Sequence, residues 1–202
     1  MLQSQINPHF LYNTLNSIKW MATIQNVSGI PEMITSLARL LRNIAKGTSE
    51  LITIKEELDL LNDYITIQQY RYGGTITVNY NVMSDDLYEC NIIKFTLQPI
   101  VENAIFHGIE PKSVEGIIDI NIKKLKHNKI GIEVIDNGIG ISEDKIEKLL
   151  SSKETTSKGS FNNIGISNVN ERIKLTFGDE YGLNIKSKLN EYTSIIITIP
   201  YE

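Results

Sequence analysis

The chain has 202 residues, of which 41% are hydrophobic and 22% charged, so it can bury a core of its own. Its formal net charge of −4 excludes the strongly basic surface that neutralises many phosphates, and we expect no nucleic-acid partner. Cys90 is the single cysteine, which fits a reducing compartment, and no stretch reaches the roughly 18 to 20 apolar residues of a membrane span.

A first helix is predicted from residue 2 to about residue 25. Its apolar stripe, at helical spacing, consists of Leu11, Leu15, Ile18 and Ala22. Pro8 lies inside this helix, although it has no N–H for the carbonyl of Ser4 and costs roughly 3 kcal/mol there. Because the helix begins almost at Met1, with no room for a cap, we expect the chain to be part of a longer protein.

A polar patch follows Pro8 on this helix. At about 100° per residue, Asn13 lies about 40° from His9 around the helix axis and Asn16 about 20° on the other side. A single histidine beside an apolar stripe is usually a packed and hydrogen-bonded residue, and the two asparagines alone are typical polar positions of paired helices. Motifs elsewhere in the chain are needed to decide whether this patch has a function.

Two more helices are predicted in the first third of the chain. The glycine and proline of "SGIP" (28–31) end the first helix and open the second. Thr53 and Glu56 form a capping-box signature for the third, which runs to about Arg71. The apolar seams of these two helices are Ile34, Leu37, Leu41 and Ile44, and Leu58, Leu61 and Ile65. Narrow stripes in so short a module predict burial against a second copy, so we expect a homodimer.

The hydrophobic period changes to two after "YGG" (72–74). Strands are predicted at 75–82, 117–125, 129–136, 183–189 and 194–200, and helices at about 96–107, 142–151 and 165–177. The polar stretch 152–163 is predicted to be a flexible loop. We therefore expect an α+β chain, with a helical module at 1–72 and, at 73–202, an α/β sandwich whose mixed sheet is covered by helices on one face.

The stretch "VIDNGIGIS" (134–142) is a strand that ends in a carboxylate. Asp136 can accept a hydrogen bond from an exocyclic amine, and Gly138 and Gly140 let the backbone approach a ligand closely. The alternative is an Asp-Asn-Gly turn that only connects the strand to a helix beginning at Ser142. This stretch alone leaves both interpretations open.

Two helical stretches add further polar candidates. In "LQPIVENAIFHG" (97–108), Asn103 and His107 lie one turn apart, and the amide oxygen of Asn103 suits a Mg²⁺ ion that takes few protein ligands. His107 has the alternative of helix-end packing and a favourable contact with the helix dipole. Gly165 begins a predicted helix, where free N–H groups favour a phosphate, but a single glycine is weak support.

The order of these pieces resembles the N, G1 and G2 boxes of the GHKL nucleotide-binding fold, which gyrase, a heat-shock chaperone, histidine kinases and MutL share. The resemblance covers about residues 74–202. It implies that Asp136 holds the adenine amine of ATP, that Asn103 holds Mg²⁺, and that 152–163 is a lid. It also places Thr193 near the adenine.

The position four residues before Asn103 separates two classes of this fold. Members that hydrolyse ATP carry a water-activating Glu there, whereas this chain has Pro99. Glu102 points about 100° away from Asn103 around the helix axis and is a poor substitute. The resemblance therefore argues against a GHKL ATPase, which stays an alternative.

The opening stretch "QINPHFLYNTLNSI" resembles the phosphoacceptor box of LytS/YesM-type sensor histidine kinases, and "LQPIVENAIFHG", "DNGIGI" and "GISNVNERI" resemble the later boxes of that family. The resemblance implies that His9 is the nucleophile for the γ-phosphoryl group of ATP, within or across a homodimer, and that an aspartate of a response-regulator receiver domain is the next acceptor. It also implies a cytoplasmic kinase core, anchored to the cell membrane through upstream segments.

Two hypotheses concern the neighbours of His9. The unpaired carbonyl of Ser4 makes Pro8 a bend point through which an upstream signal reorients His9. Asn13, one turn after His9, orients a water molecule toward phosphohistidine for dephosphorylation.

The chain departs from the family pattern at Phe106, where many histidine kinases have a lysine near the phosphates. The missing charge then comes from elsewhere, with His107, Lys153 and Lys158 as candidates. The G2 stretch also contains few glycines. These departures support a further alternative, a degenerate module that dimerises and binds nucleotide without phosphoryl transfer.

Overall fold

The structure, a computed structural model, describes residues 8–47, 50–112, 115–142, 144–146 and 164–202. The α-helices are α1 (Pro8–Ile24), α2 (Ile30–Ala45), α3 (Ile54–Arg71), α4 (Leu97–Asn103) and α5 (Ile164–Phe177). The strands are β1 (Leu51–Thr53), β2 (Ile76–Val82), β3 (Asn91–Ile93), β4 (Gly116–Leu125), β5 (Lys129–Asp136), β6 (Gly182–Lys188) and β7 (Tyr192–Pro200). None of the helices in these ranges has the length and apolarity needed to cross a bilayer.

Five strands form one mixed sheet in the order β2-β4-β5-β7-β6. β2 and β4 run parallel, and the other neighbours are antiparallel. Alternate residues of the central strands are buried, as the period of two requires. The isoleucines on this buried face are Ile118, Ile120, Ile122, Ile130, Ile132, Ile195, Ile197 and Ile199. With α4 and α5 packed against them, they form the core of the predicted α+β sandwich, so the predicted fold class is confirmed.

The helix predicted at 96–107 is not α-helical throughout. α4 ends at Asn103 and continues as a π-helical turn, Ala104–Ile109, in which the N–H of Glu110 donates to the carbonyl of Ile105. A short 3₁₀ turn, Glu110–Lys112, follows. A π turn inserts an extra residue into the helical path, and such turns are frequent at functional sites.

The three N-terminal helices pack in chain order, α1 on α2 and α2 on α3. The predicted break at "SGIP" is confirmed, with Gly29 at φ 85° and Pro31 in the first turn of α2. The Tyr70 ring of α3 fills the space that a Cβ at Gly29 would need, and its hydroxyl donates to Glu32 Oε2 at 2.6 Å. The α1–α2 turn is therefore fixed against the end of α3.

α3 begins with the predicted capping box. The N–H of Glu56 donates to Thr53 Oγ1 at 3.2 Å, and the N–H of Thr53 donates to Glu56 Oε2 at 2.9 Å. The sequence did not predict that β1, directly before α3, pairs antiparallel with β3. Through this pairing and its buried face, α3 belongs to the same hydrophobic core as the sheet domain, and the division at residue 72 stays a prediction.

Three predictions fall wholly or mainly outside the described residues. They are the start of the first helix at residue 2, with the carbonyl of Ser4, the loop at 152–163, and most of the helix at 142–151, of which only 144–146 are described as helical.

Candidate active site

Asp136 is a buried carboxylate at the end of β5, only 4% exposed. Its Oδ1 accepts the N–H of Gly138 at 2.9 Å. Burial raises the pKa of the Asp136 carboxyl to about 6, while hydrogen bonds from the backbone of Gly138 and Thr193 and the nearby charge of Lys112 act in the opposite direction. At neutral pH this is a desolvated anion that can accept a hydrogen bond from an amine.

Two glycine backbones meet beside this carboxylate. A Cβ at Gly138 would overlap the backbone of Gly108, and a Cβ at Gly108 would lie 2.6 Å from Asp136 Oδ1. The N–H of Ile139 donates to the carbonyl of Gly108 at 2.9 Å. The sequence predicted that the backbone at Gly138 approaches a ligand closely. In the structure it approaches the π-helical turn of the protein itself. The sequence analysis missed Gly108, whose signal is a glycine directly after the helix that carries Asn103.

Gly140 requires its glycine for two reasons. Its φ is 69°, and a Cβ there would overlap the carbonyl of Lys188 at the end of β6. The next N–H, that of Ile141, donates to Ser187 Oγ at 2.8 Å. The turn after β5 is therefore fixed to the β6–β7 hairpin.

Thr193 is buried on β7, directly opposite Asp136 in the strand register. Its Oγ1 lies 3.2 Å from Ser187 Oγ. The structure thus brings Asp136, Gly138 and Thr193 together, with Gly140 in the same turn. The sequence analysis missed Ser187, because only the β6–β7 register places it beside Thr193.

Asn103 is the last residue of α4 and is partly exposed, and His107 is exposed in the π-helical turn that reaches Asp136 through Gly108. Gly165, in the first turn of α5, lies near the start of α4, and a Cβ there would lie 3.5 Å from Pro99 Cβ. Lys153 and Lys158, the lysines proposed to supply charge, lie outside the described residues.

His9 lies in the first turn of α1, and its side chain is outside the described part of the structure. Asn13 is exposed on the same helix, and its carbonyl accepts the hydroxyl of Ser17 at 2.9 Å. Their roles stay predictions.

Arg71 supplies a cation beside Phe106 that the sequence analysis did not predict. Its guanidinium lies 5.2 Å from the ring centroid of Phe106 and 5.2 Å from that of Tyr72. Since Phe106 replaces the lysine found in many histidine kinases, the last residue of α3 brings a positive charge to the same turn.

Two family models match the chain. The histidine kinase model covers residues 1–76, and the model for histidine kinase-, DNA gyrase B- and HSP90-like ATPases covers residues 91–202. Together they define a class of protein in which a histidine kinase helical module precedes a GHKL-type ATPase domain.

Curated relatives narrow this class. The chain is 42% identical over 199 residues to the sensor histidine kinase YesM of Bacillus subtilis, and 40% identical over 200 residues to the sensor histidine kinase YpdA of Escherichia coli. It is 32% identical over 200 residues to the sensor protein LytS of Bacillus cereus. Each match covers 98% of this chain but only 32% to 33% of the relative, so the chain spans about a third of their length. The chain belongs to the LytS/YesM-type family of sensor histidine kinases and corresponds to its kinase core.

Solved structures show the same fold. The catalytic domain of histidine kinase ThkA matches with a TM-score of 0.54 at 15% identity, covering 75% of this chain and 95% of that one. The complex of ThkA with the response regulator protein TrrA matches with a TM-score of 0.53 at 18% identity, covering 97% of this chain and 58% of that one.

Proposed function

We propose that this chain transfers the γ-phosphoryl group of ATP to His9. The observation that carries the proposal is the buried carboxylate of Asp136, flanked by glycine backbones, in a chain of the sensor histidine kinase family. In the reaction, one imidazole nitrogen of His9 bonds to the γ-phosphorus, the bond from phosphorus to the bridging oxygen breaks, and ADP leaves.

Asp136 and the turn after it bind the adenine in this proposal. The carboxylate accepts a hydrogen bond from the exocyclic amine, and the backbone N–H groups of Gly138 and Thr193 hold the carboxylate in place. Thr193, on the neighbouring strand, lines the same place. This buried and anionic site, flanked by glycine backbones, fits a planar heterocycle that carries an amine.

Mg²⁺ is the metal we propose for the phosphates. The partly exposed amide of Asn103 offers a hard, neutral oxygen, which suits an ion that completes its shell with water and phosphate oxygens. When bound, the ion neutralises phosphate charge. Gly165 at the start of α5, Arg71 and His107 are further groups of this chain for the phosphates.

The phosphoryl group then passes to an aspartate of a response-regulator receiver domain. The matched complex of ThkA with TrrA supports this class of partner for the chain. Because the chain matches only about a third of the length of two sensor histidine kinases, we propose that this core is the cytoplasmic part of a membrane-anchored sensor. We also retain the proposals that Asn13 acts in dephosphorylation and that the division into two domains falls at residue 72.

We expect His9→Gln to lose all phosphoryl label from Mg²⁺ and γ-labelled ATP, because the nucleophile is gone. The label on the parent chain should be labile in acid and stable in alkali. His127→Gln is the matched control, since His127 is an exposed residue of the β4–β5 turn. Label that persists in His9→Gln would assign the acceptor elsewhere, and ATP turnover without any labelled protein would favour the ATPase alternative.

A homodimer is proposed from the surface of the first two helices. Several large apolar side chains are exposed there, namely Phe10, Ile18, Trp20, Met21, Ile24, Leu37 and Ile44. Leu37 and Ile44 belong to the predicted seam of α2, and α1 and α3 leave them uncovered. Apolar side chains exposed together in this way mark a protein interface.

Trp20→Glu should therefore weaken self-association. Trp20 is 66% exposed, and a central interface tryptophan contributes about 2 kcal/mol, or roughly a 30-fold change in the dissociation constant. Sedimentation equilibrium over a concentration series measures the change. Met83→Glu, an exposed apolar residue after β2, is the control. Equal association of the parent and Trp20→Glu would place the interface elsewhere.

A further inference from the structure

Glu57 is a buried carboxylate that the proposed function does not use. It lies in the first turn of α3 and is only 1% exposed. Its Oε2 accepts the N–H of Phe95 and its Oε1 the N–H of Leu97, each at 2.8 Å. Leu97 is the first residue of α4, so a side chain of one helix caps the start of another.

The start of α4 has no cap of its own. The first N–H groups of a helix lack partners within that helix, and the residue before it normally supplies one. Here Thr96 makes no cap and instead donates its hydroxyl to the carbonyl of Ile93 at 2.6 Å. Glu57 supplies the acceptor, and its carboxyl group, when ionised, places a negative charge at the positive end of the helix dipole.

Glu57 also holds a strained residue. Phe95 has φ 57°, which is rare for a residue with a bulky side chain and persists only where the surroundings impose it. The N–H of Phe95 is one of the two that donate to the Glu57 carboxyl group. The carboxylate therefore helps to fix the bend by which the chain enters α4.

A third element faces the same carboxylate. The charge of Arg172 on α5 acts on Glu57, and its guanidinium donates to the carbonyl of Lys94 at 2.7 Å. Lys94 is itself buried and pairs with Glu50 Oε2 at 3.2 Å. Burial raises the pKa of Glu57 to about 7, and hydrogen bonds from the backbone of Leu97, Phe95 and Thr96 and the charge of Arg172 act in the opposite direction. Residues of α3, α4 and α5 thus meet at one buried carboxyl group.

We propose that Glu57 is a positioning residue for phosphoryl transfer. By holding the start of α4 against α3, it sets the place of Asn103, at the other end of this seven-residue helix, relative to the module of three helices whose first helix, α1, carries His9. Asp136 and its register partner Thr193 lie on β5 and β7, and the hydrogen bonds of Glu57 go to Phe95 and Leu97, so we expect adenine recognition to change less than the place of Asn103. This inference rests on the proposed function, because it assigns Glu57 a part in the same reaction.

The test is Glu57→Gln, which keeps the shape of the side chain but turns one acceptor into a donor that faces an N–H. We expect the rate of His9 labelling at saturating Mg²⁺ and ATP to fall by about tenfold to a hundredfold. The ATP concentration at half-maximal rate should change less than about twofold, because the adenine contact remains. Asp59→Asn, an exposed carboxylate on α3, is the charge control and should label normally.

A purely structural role predicts a different result. Ile120→Val removes one methyl group from the core of the sheet and leaves the hydrogen bonds of Glu57 in place, so a loss of rate that only follows lost stability should appear there too. Equal rates in the parent and Glu57→Gln would overturn the inference, and so would equal losses in Glu57→Gln and a comparably destabilised Ile120→Val. If Glu57→Gln does not fold, Glu57→Asp, which shortens the side chain by one methylene, takes its place. Its rate of His9 labelling is then compared with the rates of the parent and of Ile120→Val in the same way. No label in the parent chain would instead contradict the proposed function.

Discussion

Asp136→Asn is expected to weaken ATP binding strongly at neutral pH. The asparagine can still accept the N–H of Gly138, but its NH₂ group would then face the adenine amine, donor against donor. Losing a charged hydrogen bond in a buried site costs about 2 to 4 kcal/mol, which is roughly a 30- to 1000-fold loss of affinity. Titration calorimetry measures the loss, and ATP binding equal to that of the parent would overturn the assignment of Asp136.

The same substitution should stabilise the folded protein. Burial raises the pKa of Asp136 from 3.8 to about 6, so ionising it costs the native state free energy. Below about pH 4 the carboxyl is protonated in the folded and in the unfolded chain, and the folded chain keeps its full stability. As the pH rises to about 6, the unfolded chain ionises more readily than the folded one, and the free energy of unfolding falls. An asparagine side chain does not ionise, so the variant does not lose this stability as the pH rises. The free energy of unfolding of Asp136→Asn should therefore exceed that of the parent by up to about 3 kcal/mol above pH 6 and match it near pH 4.

Urea unfolding at pH 4 and pH 8 measures this difference without ligand. Asp59→Asn controls for the change of net charge, because Asp59 is exposed. A parent chain that is more stable than Asp136→Asn at pH 8 would show that the carboxylate is held by stronger partners than the N–H groups described above. Affinity and stability should thus move in opposite directions at one position, as expected where a binding group is kept at a cost to the fold.

Gly138→Ala is expected to damage both the fold and the site. Its Cβ would overlap the backbone of Gly108, which cannot yield as a flexible side chain can. The turn after β5 must then separate from the π-helical turn, breaking the bond from Ile139 N–H to the Gly108 carbonyl. We expect a loss of about 3 kcal/mol in the free energy of unfolding, and loss of ATP binding with it.

Gly165→Ala is the matched control for this stability measurement. Its Cβ would meet Pro99 at 3.5 Å, an ordinary contact, and alanine is favoured over glycine in a helix by about 1 kcal/mol. The control should therefore unfold at the same or a higher urea concentration than the parent. If Gly138→Ala were as stable as Gly165→Ala, the contact between the two turns would be dispensable.

Local sequence patterns predicted most of the helices and strands. Alternating isoleucines in 117–125 and 129–136 predicted β4 and β5, and Thr53 with Glu56 predicted the start of α3. These features depend on neighbours within a few residues, which is the range that periodicity and capping report. Asp136 was found for the same reason, as a carboxylate where a strand gives way to a glycine turn.

The sequence by itself determined the order of the three N-terminal helices and of the five strands of the sheet, the family and the candidate polar residues it named, because each follows from short motifs. Only the tertiary structure decided which distant residues meet. Glu57 resembles any acidic residue of a first helical turn until packing places it 2.8 Å from the N–H of Leu97, forty positions later. Gly108 is an ordinary helix-end glycine until the π turn brings it against Gly138. Such contacts join residues far apart in the chain, and the packing of α3, α4 and β5 on one core creates them.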